Sequence, residues 1–229
     1  MTVFKFALLR NIRSPVSFLA SLIVPITLMF LFPNVWRYHP IGNVALLVYL
    51  MVLSAHLLAG LMLEDRVDGS VIKIYLSPVS TVSYIFQNLL SAMMPIVVQI
   101  VILGILGIVR YNWETETLVG ILITLLIFAI ANTAFSFCWN MLLKSKSASR
   151  NSFFFVAAVM LLLSGIMVPI EALPGITQYV GAIFHPYWLM RALTTLAVDG
   201  LTTSFWIYQG VMLLFAIAFL LLGGRRRTI

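Results

Sequence analysis

Residues 64–83 read EDRVDGSVIKIYLSPVSTVS, a charged and turn-rich island in a chain that is otherwise almost continuously apolar. Glu64, Asp65, Arg66, Asp68 and Lys73 place five charges within ten residues, and at the centre of a bilayer each would cost roughly 2.5–3.5 kcal/mol. The island must therefore lie outside hydrocarbon. Its two long apolar neighbours fix it at a membrane face.

The rest of the composition agrees. Of 229 residues, 62% are hydrophobic and 9% charged, whereas soluble domains carry about 25% charged residues. A water-soluble fold cannot cover its core with so few polar groups. The apolar runs are continuous and of helical-span length, without the alternating strands of about ten residues that a barrel requires. The fold class read from the sequence is an all-α polytopic membrane protein, a single transmembrane domain over 1–229.

Residues 1–13 mix Lys5, Arg10 and Arg13 with Phe4, Phe6, Leu8, Leu9 and Ile12, the pattern of a helix lying in the interface. Arg10 and Arg13 precede the first apolar run and no small-residue cleavage pattern follows it, so that run is expected to stay as a span. Six spans are expected: about 15–35 with a kink at Pro25, 44–63 ending at Glu64, 84–109, 118–143, 152–168 and 205–222. Between the last two lies 176–198, broken by His185, Pro186 and Arg191 and preceded by Pro169, Glu171 and Pro174.

Basic residues decide how that stretch is read. With six spans, one face collects Lys5, Arg10, Arg13, Arg66, Lys73, Lys144, Lys146, Arg150, Arg225, Arg226 and Arg227, eleven of the fourteen lysines and arginines. A seventh span would move the triple arginine to the other side, against the positive-inside rule. The segment 169–201 is therefore expected to form an extracytoplasmic re-entrant or surface helical hairpin, with both termini cytoplasmic. The net charge of +7 is accounted for as topology signals flanking the spans, and no basic stripe points to nucleic acid.

Several chemistries are missing. There is no phosphate-loop motif, no G-x-G-x-x-G and no H-E-x-x-H. The single Cys138 excludes an intrachain disulfide or a cysteine-cluster metal site, and the histidines 39, 56 and 185 are far apart in sequence; no metal is expected. The six spans contain no Asp, Glu, Lys or Arg, the groups that carry coupling ions in ion-driven carriers. Energy is thus expected to enter from outside the membrane, at 64–83. A channel or ion-coupled carrier is the first alternative. An embedded enzyme built on Glu171, His185, Arg191 and Asp199 is the second.

Physically, the island reads as a short helix between two turns. Asp68 or Ser70 can cap its start, Gly69 permits a sharp approach, and Ser77, Pro78 and Ser80 stop it. Val71, Ile74 and Tyr75 share one face, Ile72 and Leu76 another. Apolar residues on more than one face of so short a helix call for a partner, or for a bed of lipid headgroups.

Here the chain resembles the ABC type 2 exporter permease family, the membrane subunits of type V exporter-like ABC transporters. The resemblance rests on Glu64, Gly69-Ser70, Leu76 and Ser77-Pro78-Val79-Ser80, and on Gly165, Pro169, Glu171, Leu173, Pro174, Pro186 and Arg191 within 164–193. Family members often carry a Gly-Lys pair about ten residues past the Ser-Pro, where Gln87-Asn88 stand here.

The resemblance implies a cell-membrane exporter subunit that pairs with a second permease, as homodimer or heterodimer. It implies docking of Glu64, Asp68, Gly69, Ser70, Val71, Ile74, Tyr75, Leu76 and Pro78 onto a separate ABC ATP-binding subunit. That subunit would hold ATP and Mg, with no cofactor on this chain and no catalytic residue. By the same resemblance Glu171, Pro174, His185, Pro186 and Arg191 form an outer gate. Apolar spans with several methionines suit hydrophobic or amphipathic cargo such as drugs, peptides or lipids, with polysaccharide or glycolipid as the alternative.

Overall fold

The computed structural model describes residues 2–14, 17, 19–31, 43–69, 80–109, 112–168, 172 and 174–225. No strand occurs among them. The helices are α1 (Thr2–Arg13), a π-helical turn (Leu19–Ile23) running into α2 (Val24–Leu31), α3 (Asn43–Val67), α4 (Thr81–Val109), α5 (Thr115–Leu142), α6 (Lys146–Leu163), α7 (Gly175–Gly181), α8 (His185–Asp199) and α9 (Thr203–Arg225). Among the described residues, four helices are long and apolar enough to cross a bilayer, within α3, α4, α5 and α9.

In lipid a backbone satisfies its own polar groups most simply as a helix, and these sequences are apolar enough all round that no single face dominates. α5 is the hub, packed against α3, α4, α8 and α9. Its Phe128 and Leu125 meet Leu47, Met51 and Leu58 of α3, Ile96 and Ile100 of α4, Leu193 of α8 and Phe205 of α9 in one buried core. At Gly120 a Cβ would fall 2.6 Å from the Leu196 side chain. The absent side chain at Gly120 is the space that the Leu196 side chain of α8 fills.

The break expected at Pro25 takes a definite form. Proline has no N–H to give to the Ser21 carbonyl four residues back, and the chain opens into the π-helical turn immediately before α2. Gln99 of α4 donates its side-chain amide to the freed carbonyl, Ser54 of α3 donates its hydroxyl at 3.5 Å, and the Gln99 amide also reaches the Ser54 hydroxyl at 3.3 Å. All three residues are buried. A kink written by one proline is thus held by neutral polar groups from two neighbouring helices.

Three boundaries differ from the sequence reading. α3 does not stop at Glu64 but runs to Val67, so Glu64, Asp65 and Arg66 form its last turn. Charged residues leave lipid without ending a helix, and α3 is closed instead by Gly69 at φ 72°, whose N–H bonds to the Arg66 carbonyl at 3.2 Å. α6 begins at Lys146, not at 152, because Ser145 caps it: its hydroxyl accepts from the Ala148 N–H at 3.5 Å. α4 begins at Thr81, not at 84, with the Ser80 hydroxyl accepting from the Ser83 N–H at 3.3 Å.

Candidate functional site

The island's described flanks are tied down by charges that also explain their local sequence. Asp65, in the last turn of α3, pairs with Arg10 of α1 and accepts a hydrogen bond from the Tyr84 hydroxyl of α4 at 2.9 Å. Arg10 donates further to the Asn88 side chain at 3.0 Å, and Asn88 is held by the Tyr84 carbonyl at 2.9 Å. Along the same seam the Phe4 N–H reaches Gln87 at 2.9 Å and the Asn11 amide reaches the Ser91 hydroxyl at 3.0 Å. Gln87-Asn88 therefore have a role of their own: they bind α1 to the first turns of α4.

Two further links leave the same end of α3. Arg66 donates to the carbonyls of Asn140 and Met141 at 3.5 and 3.4 Å, in the last turn of α5, where a cation complements unpaired carbonyls and the helix dipole. Lys146, in the first turn of α6, lies 3.4 Å from Asp68 and 3.9 Å from Glu64. One turn of α3 thus touches α1, α4, α5 and α6, and every one of these links converges on the two ends of the segment 70–79.

Between α3, the start of α6 and the joint after α1 lies a half-open cavity of about 330 Å³. Its charged mouth carries Glu64, Lys146 and Arg150, and its inner end is closed by His56, 5% exposed and stacked face to face on Phe153 with ring centroids 3.6 Å apart. The His56 Nδ1 has no hydrogen-bond partner among the described residues.

Of the residues expected to couple to a partner, Glu64, Asp68 and Gly69 are placed as above. Ser70, Val71, Ile74, Tyr75, Leu76 and Pro78 lie outside the described residues. Of the expected outer-gate set, Pro174 leads into α7 and Pro186 sits in the first turn of α8, where its missing N–H costs no helical bond. His185 is buried, 1% exposed, with its ring 5.4 Å from both Phe128 and Phe135 and 5.7 Å from Phe219. Arg191 is exposed and has no ion pair among the described residues. Glu171, and with it any contact to Arg191, falls outside them.

Sequence reasoning missed Arg10, Tyr84, Asn88 and Lys146 as members of the flanking network. Arg10 and Lys146 were legible only as topology signals. Their partners lie 55 and 78 residues away, a pairing that no local spacing encodes. Among the described residues no three His, Cys, Asp or Glu side chains come together as a metal site.

No curated protein matches the chain. The family model for the ABC-2 type transporter matches residues 1–198, from α1 through the island and nearly to the end of α8. It is a multi-pass membrane protein and a transport permease subunit, the ATPase activity residing on a separate subunit, and the chain belongs to the ABC-2 type transporter family.

Proposed function

We propose that this permease drives outward transport of hydrophobic or amphipathic cargo across the cell membrane, and that residues 70–79 are the element pushed by its ATP-binding partner. ATP and Mg are bound by that partner. The observation that carries the reading is the joint of Arg10, Asp65 and Tyr84, which ties the segment's two flanks to each other and to α1. A force applied at 70–79 reaches α1 and α4 through this joint, α5 through Arg66 and α6 through Lys146. The spans as drawn from the sequence hold no Asp, Glu, Lys or Arg to carry a coupling ion, His56 being their one histidine, so the mechanical route supplies the energy.

In this reading α1 lies in the interface, residues 15–35 with α3, α4, α5, α6 and α9 make six spans, and both termini are cytoplasmic. α7 and α8 form the re-entrant outer hairpin. Its support is that Leu196 meets Gly120 near the start of α5, while His185, at the other end of α8, meets Phe128 and Phe135 farther along. In this reading α8 runs outward beside α5, from His185 at depth to Leu196 near the outer face. Glu171, Pro174, His185, Pro186 and Arg191 gate that side, and two permease subunits pair around the path.

The test is reconstitution with the copurifying ATPase and, if one is found, the second permease. Cargo-stimulated ATP hydrolysis and vesicle accumulation are measured with a panel of drugs, lipids, peptides and a lipid-linked glycan. Gly69→Val forces a β-branched residue into φ 72°, a conformation that costs an L residue roughly 1–2 kcal/mol. It is expected to leave the subunits copurifying while cargo-stimulated hydrolysis and transport separate. Transport driven by a pH gradient without ATP would sink the reading, and stimulation by the glycan alone would reassign the cargo.

A further inference from the structure

The cavity at the α3–α6 seam has features that packing alone does not explain. His56 and Glu64 stand eight residues apart on α3, about 12 Å along the helix axis, so the cavity reaches from the charged end of the bundle well into its apolar part. Its mouth and its floor differ in chemistry.

At the mouth, Lys146 already faces Glu64 and Asp68. Arg150, one turn further along α6, is exposed and has no ion pair among the described residues. Lys146, Ser149 and Arg150 bring the N-terminal end of α6 to the same space, the end of a helix that carries its unpaired N–H groups and the positive end of its dipole. Ser14 and Ser17, hydrogen-bonded to each other at 3.1 Å, add hydroxyls from the joint after α1. Together these groups favour an anion.

At the floor, Leu57 and Leu61 of α3 supply apolar wall beside the stacked His56–Phe153 pair. The His56 Nδ1, in a residue 95% buried, has no protein partner among the described residues. A buried polar atom without a partner is costly in an apolar interior. A ligand that adds one hydrogen-bonding oxygen near His56 would remove that cost.

We propose that this cavity binds an acidic amphiphile, with its anionic head held by Arg150 and the first turn of α6 and its ester or hydroxyl oxygens drawn towards His56. Zwitterionic amphiphiles are expected to bind less tightly, because Glu64 and Asp68, the carboxylates at the mouth that could pair with their cationic group, already face Lys146. The site is built within one subunit from α3, α6 and the α1 joint.

Binding of dihexanoyl phosphatidic acid to the purified full chain in an uncharged detergent, by calorimetry or native mass spectrometry, tests this. Neither ATP nor transport enters the measurement, so its outcome is independent of the exporter reading. Saturable binding is expected, at least tenfold tighter than for dihexanoyl phosphatidylcholine. Arg150→Gln, a surface change that leaves the thermal midpoint unmoved, is expected to weaken it about tenfold, and His56→Phe, which keeps the stack on Phe153, several-fold. Wild-type affinity in Arg150→Gln, or equal binding of the choline lipid, would overturn the proposal. Inorganic phosphate binding as tightly as the acidic lipid would show a site for a free anion and overturn the amphiphile assignment.

Discussion

Two charge clusters leave the same last turn of α3, and they are built differently. On one side Asp65 and Arg10 are 20% and 31% exposed, and tyrosine, asparagine and α1 close around them. On the other, Lys146 spans Asp68 and Glu64 with side chains 43% to 59% exposed and no further partner for the two carboxylates in the described network. A half-buried ion with several hydrogen bonds fixes geometry, because every alternative leaves a charge unsatisfied. An exposed pair in water exchanges partners at little cost. The α1–α3–α4 corner is therefore a rigid joint, and the α3–α6 corner a soft one that can open without breaking the bundle.

The comparison breaks most sharply at Asp65. Asp65→Ala strands Arg10 and Tyr84 at once, and roughly 2–3 kcal/mol of stability should be lost, at the upper range for a hydrogen bond to a charged group and below that for a fully buried pair. The expected result is a clear fall in the detergent thermal midpoint together with loss of protection of α1 in hydrogen exchange. A double-mutant cycle with Arg10→Ala should return a coupling of about the same sign and order. An additive cycle would mean that the corner is not a joint.

A smaller loss, about 1 kcal/mol, is expected for Gln99→Leu, which removes one of the two side-chain donors to the Ser21 carbonyl at the Pro25 break and leaves the Ser54 hydroxyl. Interhelical hydrogen bonds inside membranes are modest, so the chain should fold. The change should show as faster hydrogen exchange around residues 19–24 with the α1 corner unaffected. If α1 loosened too, the joint would extend into the span, and the contrast drawn above would have to be widened.

Much of this architecture is legible in the sequence because lipid imposes it. The apolar runs and the break at Pro25 follow from transfer energies and backbone satisfaction, which act locally. The boundary at Glu64 was misplaced for an instructive reason: charge reports where lipid ends, while Gly69 at positive φ reports where the helix ends, and the two are separated by a turn of α3. Ser80 and Ser145 could each be read as ending one element or opening the next. The joint itself was illegible, since Arg10 looks the same whether it faces headgroups or Asp65. Nor does the sequence distinguish His185 in a gate from His185 packed against Phe128 and Phe135.

The soft corner gives the smallest effect and the finest test. Lys146→Ala removes two exposed ion pairs, and exposed pairs contribute roughly 0.2–1 kcal/mol, screened further by salt. The thermal midpoint should move by about the error of the measurement, and the small shift at low ionic strength should vanish near 0.5 M salt. Asp65→Ala should keep most of its effect at the same salt, because partly buried pairs are screened less. The ratio of the two salt responses therefore measures the difference between the corners directly. If Lys146→Ala proved as damaging and as salt-insensitive as Asp65→Ala, α6 would be locked to α3 as firmly as α1 is, and the seam beside the cavity could not serve as the side that opens.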